Sequence, residues 1–255
     1  FAIHLLIIFL KNYGFIDLSH IDSKLLSNPI SALYTPFSFI LIYEAYLLIF
    51  YIPRSFTTAI GKQFEIISLI VIRKIFGDIP LVDLQSNWFD NQYNLQLIFD
   101  LVGIIVIFFL IYLFRMAKDK LPKKPVSDKL DRFIASKKLL SIVLLPVLIA
   151  ICVLSFYNWI STSLITNTFD QDLNYLFFNE FFTLLIVVDV FILLISFQYT
   201  ERYSQLIRNT GFIISTILLR LSFSAVGLSS ILLIISGILF GLLILVIYNA
   251  MEKEP

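Results

Sequence analysis

Apolar residues along this chain gather into long blocks separated by short polar segments, rather than alternating at every second position. Eight blocks stand out: Phe1 to Leu10, about Ser31 to Ile52, about Ile60 to Phe76, about Leu95 to Phe114, Leu139 to Ile160, about Phe181 to Gln198, about Gly211 to Ala225, and Gly227 to Tyr248. Most approach the roughly 20 residues that a helix needs to cross a hydrocarbon layer. A porin-like barrel would instead show alternating segments of about ten residues, which are missing here. The pattern predicts an all-α integral membrane protein with about eight transmembrane helices. The first and seventh blocks are the shortest. Phe1 in place of a starting Met points to upstream residues that would lengthen the first.

Composition sharpens this picture. The 255 residues are 59% hydrophobic and only 15% charged, against roughly 25% charge in a soluble domain. Mean hydropathy is +0.91. A soluble core of this length buries about 70 to 75% of its chain surface, so much of the apolar surplus would still face water. A net charge of +1 makes nucleic acid a poor partner, because phosphate binding needs a concentrated basic face.

The basic residues are unevenly placed. The segment Arg115 to Lys138 holds nine Lys or Arg and three Asp, which puts it on the cytoplasmic side by the charge bias of short loops. Alternation then sends Gly77 to Asn94 and Ser161 to Glu180 to the opposite side. Both lack Lys and Arg, and they carry Asp78, Asp83, Asp90, Asp170, Asp172 and Glu180. Arg54 with Lys62, and Arg202 with Arg208, fall on the cytoplasmic side. The expectation is a multi-pass protein of the cell inner membrane with both ends cytoplasmic. The segment Asn12 to Pro29, with Asp17, Asp22 and Lys24, adds little to this assignment.

The chain also repeats itself. A shift of 147 residues lays Ile66–Phe76 over Ile213–Phe223 with six identities in eleven positions, including Ser68 on Ser215 and Arg73 on Arg220. With a gap or two, Glu44 comes opposite Asp189 in the preceding block. The reading is a parallel 4+4 duplication: a four-helix repeat over 1–115, a basic cytoplasmic linker over 116–138, and a second four-helix repeat over 139–250. Repeats of this kind are related by an axis along the membrane normal.

An ionised group inside a span costs at least roughly 2.5 to 3.5 kcal/mol and usually faces a bundle interior or water. Glu44, Glu65, Arg73, Asp100, Asp189 and Arg220 are therefore the candidate site residues, as a transport path or as buried ion pairs. Counting about 1.5 Å of rise per residue from the cytoplasmic ends sets Glu44 at roughly 13 Å, Asp189 at roughly 16 Å, Arg220 at roughly 18 Å and Arg73 at roughly 19 Å. Each half thus offers a carboxylate and an arginine at similar depth, with Asp100 a second possible partner for Arg73. Arginines facing acids on neighbouring helices resemble a voltage sensor in part, but no span carries several arginines at three-residue spacing.

Little else suggests chemistry. Cys152 stands alone in an apolar run, and only His4 and His20 are histidines, so neither a disulfide nor a Cys or His metal site is expected. Nucleotide, hydrolase and metalloprotease motifs are missing, and no cofactor is expected. Pro36 and Pro146 fall inside spans, GILFG places Gly237 and Gly241 at a small-xxx-small spacing, and Trp88 and Trp159 suit a membrane boundary. The first functional reading is conduction or transport of a small ion or solute through a polar bundle interior. The alternative is a non-catalytic scaffold or subunit of a membrane complex, and an enzyme acting on lipid ranks third. Expected partners are membrane lipids and either a second copy or a membrane partner subunit.

Overall fold

The computed structural model describes residues 1–14, 29, 32, 34–79, 82, 89, 91–121, 128–166, 173–200, 202–225 and 227–252. Asp17, Asp22, Lys24, His20, Asp83, Asp90, Asp170, Asp172 and Trp88 lie outside these residues, as does the side chain of Trp159. The described residues form eight helices and no strand: α1 Ala2–Asn12, α2 Tyr34–Phe50, α3 Phe56–Asp78, α4 Gln92–Asp119, α5 Asp128–Thr166, α6 Leu173–Tyr199, α7 Tyr203–Leu221 and α8 Leu228–Met251.

Local chemistry sets several helix starts. Ser55 caps α3, its Oγ accepting the Thr58 N–H at 3.3 Å, and Asn91 caps α4 by accepting the Tyr93 N–H at 2.9 Å. Such oxygens satisfy backbone donors that have no partner inside the helix. Gly227 enters α8 with φ of +67° and ψ of −144°, a mirror-image extended conformation that glycine, having no Cβ, adopts readily.

Among the described residues, four helices are long and apolar enough to cross a membrane: α4, α5, α6 and α8. The remaining blocks yield helices that are either short, as in α1 and α2, or interrupted by charge, as in α3 and α7. The reason lies in position. Helix α3 is an inner element: Ile60, Phe64, Ile67 and Val71 join a core with α4, α7 and α8, whereas Ile66 and Ile70 join a second core with α2, α5 and α6. A helix packed on several sides tolerates polar residues because its neighbours can satisfy them. Helix α4 shows the contrary pattern, with Leu101, Val102, Ile105, Phe108, Phe109 and Tyr112 exposed along one stripe and Gly103, Ile104, Ile107, Leu110 and Ile111 turned inward.

The basic stretch between the halves is helical at both ends, because α4 continues to Asp119 and α5 begins at Asp128. Its 39 residues make α5 roughly 58 Å long at about 1.5 Å per residue, and it runs through Pro146 without a break. Gly237 and Gly241 pack within the chain. A Cβ at Gly237 would stand 3.2 Å from the Ser215 carbonyl oxygen, and one at Gly241 would stand 2.8 Å from Phe64 Cζ. The absent side chains let α8 approach α7 and α3 closely, and Ser215 Oγ donates to the Gly237 carbonyl at 2.6 Å.

Candidate functional site

Among the described residues, three carboxylates lie in the interior, each beside a cation from a neighbouring helix. Glu44 of α2 is 1% exposed, and Arg73 Nε of α3 donates to its Oε2 at 3.3 Å. Asp189 of α6 is 3% exposed, and Arg220 Nη1 of α7 lies 2.6 Å from its Oδ2. Asp100 of α4 is fully buried. Lys74 Nζ lies 3.4 Å from its Oδ2, and Gln96 Nε2, one helical turn before it, donates to its Oδ1 at 2.6 Å. Residues 73 and 74 differ by about 100° around the helix, so adjacent cations on α3 serve acids on two different neighbours, one on α2 and one on α4.

Glu65 belongs to a different place. It sits in the first half of α3, pairing with Lys62 at 2.6 Å and with Arg115 of α4 at 3.8 Å. All three side chains are partly exposed, so this cluster lies apart from the interior acids. Arg208, twelve residues before Arg220 and so about 120° from it around α7, is held over the Tyr248 ring at 4.7 Å and donates to Asn209 Oδ1.

The interior pairs are not saturated. Thr216 Oγ1 donates to Asp189 Oδ2 at 2.7 Å, the same oxygen that Arg220 approaches. The arginine contact is one of charge rather than an aligned hydrogen bond: both its Nη1 and Nη2 are buried without an acceptor among the described residues. Glu44 Oε1 and Asp100 Oδ2 are likewise buried without a hydrogen bond there. Buried polar atoms usually find partners, and those left over commonly mark water, ions or function.

Beside Asp189 lies a cavity of about 30 Å³, bordered by Gln63 and Phe56 of α3, Lys137 of α5, Asp189 and Ile192 of α6, and Thr216 of α7. That space suits one or two waters. Lys137 is only 4% exposed. Its ammonium donates to the Arg54 carbonyl at 2.5 Å and stands over the rings of Phe56 and Phe133 at 4.8 and 5.3 Å. Along the bundle the order is therefore Lys137 at the α2–α3 turn, then the cavity with Gln63, then Asp189 with Thr216, and finally Arg220 one turn further on.

Lys137, Gln63 and Thr216 were not among the residues singled out from the sequence. Lys137 reads there as one of nine cations in a solvated stretch, and Gln63 and Thr216 are neutral. The signal that marks Lys137 is its position four residues after Phe133, on the face of α5 that continues into Ser141 and Leu144, all of them buried.

Among the described residues, the fold and site define a helical bundle with four span-length apolar helices and three acid–base contacts in its interior. In comparisons with known proteins the chain matches no family model, no curated protein and no solved structure.

Proposed function

We propose that this chain is a multi-pass protein of the cell inner membrane, with both ends cytoplasmic, that moves a small ion through its polar interior by way of Lys137, Asp189 and Arg220. The observation that carries this reading is the small cavity that joins buried Lys137 to Asp189. A purely structural ion pair needs no such space. The volume of about 30 Å³ favours a species of water size, such as a proton or a small ion, over a larger solute. Membrane insertion is supported by the apolar stripes that α4, α5, α6 and α8 turn outward and by the unequal loop charges.

Two four-helix units related by an axis along the membrane normal are part of the same proposal. Packing of α2 on α3 and of α3 on α4 is matched by α6 on α7 and α7 on α8, while α3 meets α7 and α4 meets α8 across the centre. Each half contributes one arginine facing one acid of the preceding helix. The direct Arg73–Glu44 contact between α2 and α3 favours a second reading, a membrane scaffold or subunit in which buried pairs only lock helices.

Flux into proteoliposomes separates the two. Transport predicts flux of protons or a small ion by the wild type, its loss in Arg220→Ala and Asp189→Asn, and no recovery in the Asp189→Arg with Arg220→Asp exchange, which keeps the pair but reverses the field. Monodisperse elution of each variant establishes folding. Folded variants that all retain wild-type flux would refute the site, and absence of flux for every ion tested would favour the scaffold.

A further inference from the structure

We infer that a second site, at the cytoplasmic end of the α3–α4 pair, binds the phosphate headgroup of an anionic lipid carrying one phosphodiester charge, as in phosphatidylglycerol. A cleft of about 280 Å³ opens there between Lys62 and Glu65 of α3 and Arg115, Lys118 and Asp119 of α4, with Phe114 at its base. Three cations meet two carboxylates, leaving one net positive charge, which matches one phosphodiester. Glu65 engages Lys62 and Arg115, whereas Lys118 makes no ion pair among the described residues.

Depth and shape agree with this occupant. Phe114 closes the apolar run of α4, and Arg115 is the first charge beyond it, at the level where headgroups begin. Lys118 follows at i+3 on the same face. The Arg115 side chain is 66% exposed and its guanidinium offers forked donors suited to phosphate oxygens. At Gly61 a Cβ would stand 3.1 Å from Phe114 Cε1, so the glycine lets the ring sit against α3 and form the base of the cleft. Basic pockets between helices on the cytoplasmic side are where acidic headgroups bind.

The inference rests on the membrane reading and is independent of transport. It is tested by native mass spectrometry of the detergent-solubilised full chain titrated with phosphatidylglycerol, phosphatidylcholine or inorganic phosphate. Phosphatidylglycerol is expected to be retained over phosphatidylcholine. Arg115→Gln with Lys118→Gln should raise its apparent Kd about thirtyfold, equivalent to about 1 kcal/mol for each basic residue. Arg132→Gln with Lys138→Gln, which removes two exposed cations from α5, should leave it unchanged. If the first double variant does not elute as a single species, Lys118→Gln alone carries the test, with an expected rise of about fivefold. Unchanged affinity in these cleft variants, equal retention of phosphatidylcholine, or inorganic phosphate binding as tightly as the lipid would each overturn the proposal. Failure of the membrane reading has its own signature, a chain that stays monodisperse after detergent removal, and that result overturns both.

Discussion

Removing Arg220 strands a charge, and the size of the penalty follows from the geometry. The guanidinium is 2% exposed and lies 2.6 Å from the Asp189 carboxylate, a separation worth about 6 kcal/mol of attraction at an effective dielectric of about 20. Desolvation of both groups offsets much of that, so the intact pair contributes little net stability. Arg220→Ala, however, leaves the carboxylate buried and unmatched, which costs about 3 to 5 kcal/mol in comparable sites. The Thr216 hydroxyl still donates to Asp189 and holds part of the charge, so the expected loss is near the lower figure, about 3 kcal/mol. The assay is unfolding in mixed micelles by SDS titration, followed by circular dichroism. Combining Arg220→Ala with Asp189→Asn removes both charges and should restore part of the loss, giving a coupling of at least about 1.5 kcal/mol in the double-mutant cycle. A loss under about 1 kcal/mol for Arg220→Ala, or additivity within about 0.5 kcal/mol, would refute the view that the two groups compensate each other.

Two other outcomes test the packing and the orientation. A methyl group at Gly241 would stand 2.8 Å from Phe64 Cζ and 2.9 Å from Ser215 Oγ, so Gly241→Ala should cost about 1 to 3 kcal/mol by overpacking, whereas Gly77→Ala, with nothing within 4 Å, should cost nothing in the same unfolding assay; equal losses would contradict this account of the α7–α8 contact. In a Cys152→Ser background, a membrane-impermeant maleimide should label Lys120→Cys only from the cytoplasmic face and Phe89→Cys only from the opposite face, and the reverse pattern would invert the assigned topology.

The sequence by itself determined the quantities that run along one dimension. Block length and hydropathy located α4 and α8 closely: the runs Leu95 to Phe114 and Gly227 to Tyr248 lie within or one residue from Gln92–Asp119 and Leu228–Met251. Rise per residue alone brought Glu44 within about 6 Å in depth of Arg73 and Asp189 within about 2 Å of Arg220, because depth in a helix is simply proportional to residue count. What tertiary structure decided is rotation about each helix axis and the identity of the neighbour. Asp100 stands beside Lys74, one residue and about 100° away from Arg73, a distinction no depth estimate contains. Gly237 and Gly241 read equally well as a contact within the chain or between chains until Ser215 and Phe64 are seen against them. Lys137 is hidden most completely. Its long side chain belongs by composition to a hydrated basic stretch, and only the meeting of the α2–α3 turn with α5 supplies the Arg54 carbonyl and the aromatic rings that allow an ammonium to be buried beside Asp189. Burial of a charge depends on partners brought from far along the chain, and those partners exist as a set only after the helices have packed.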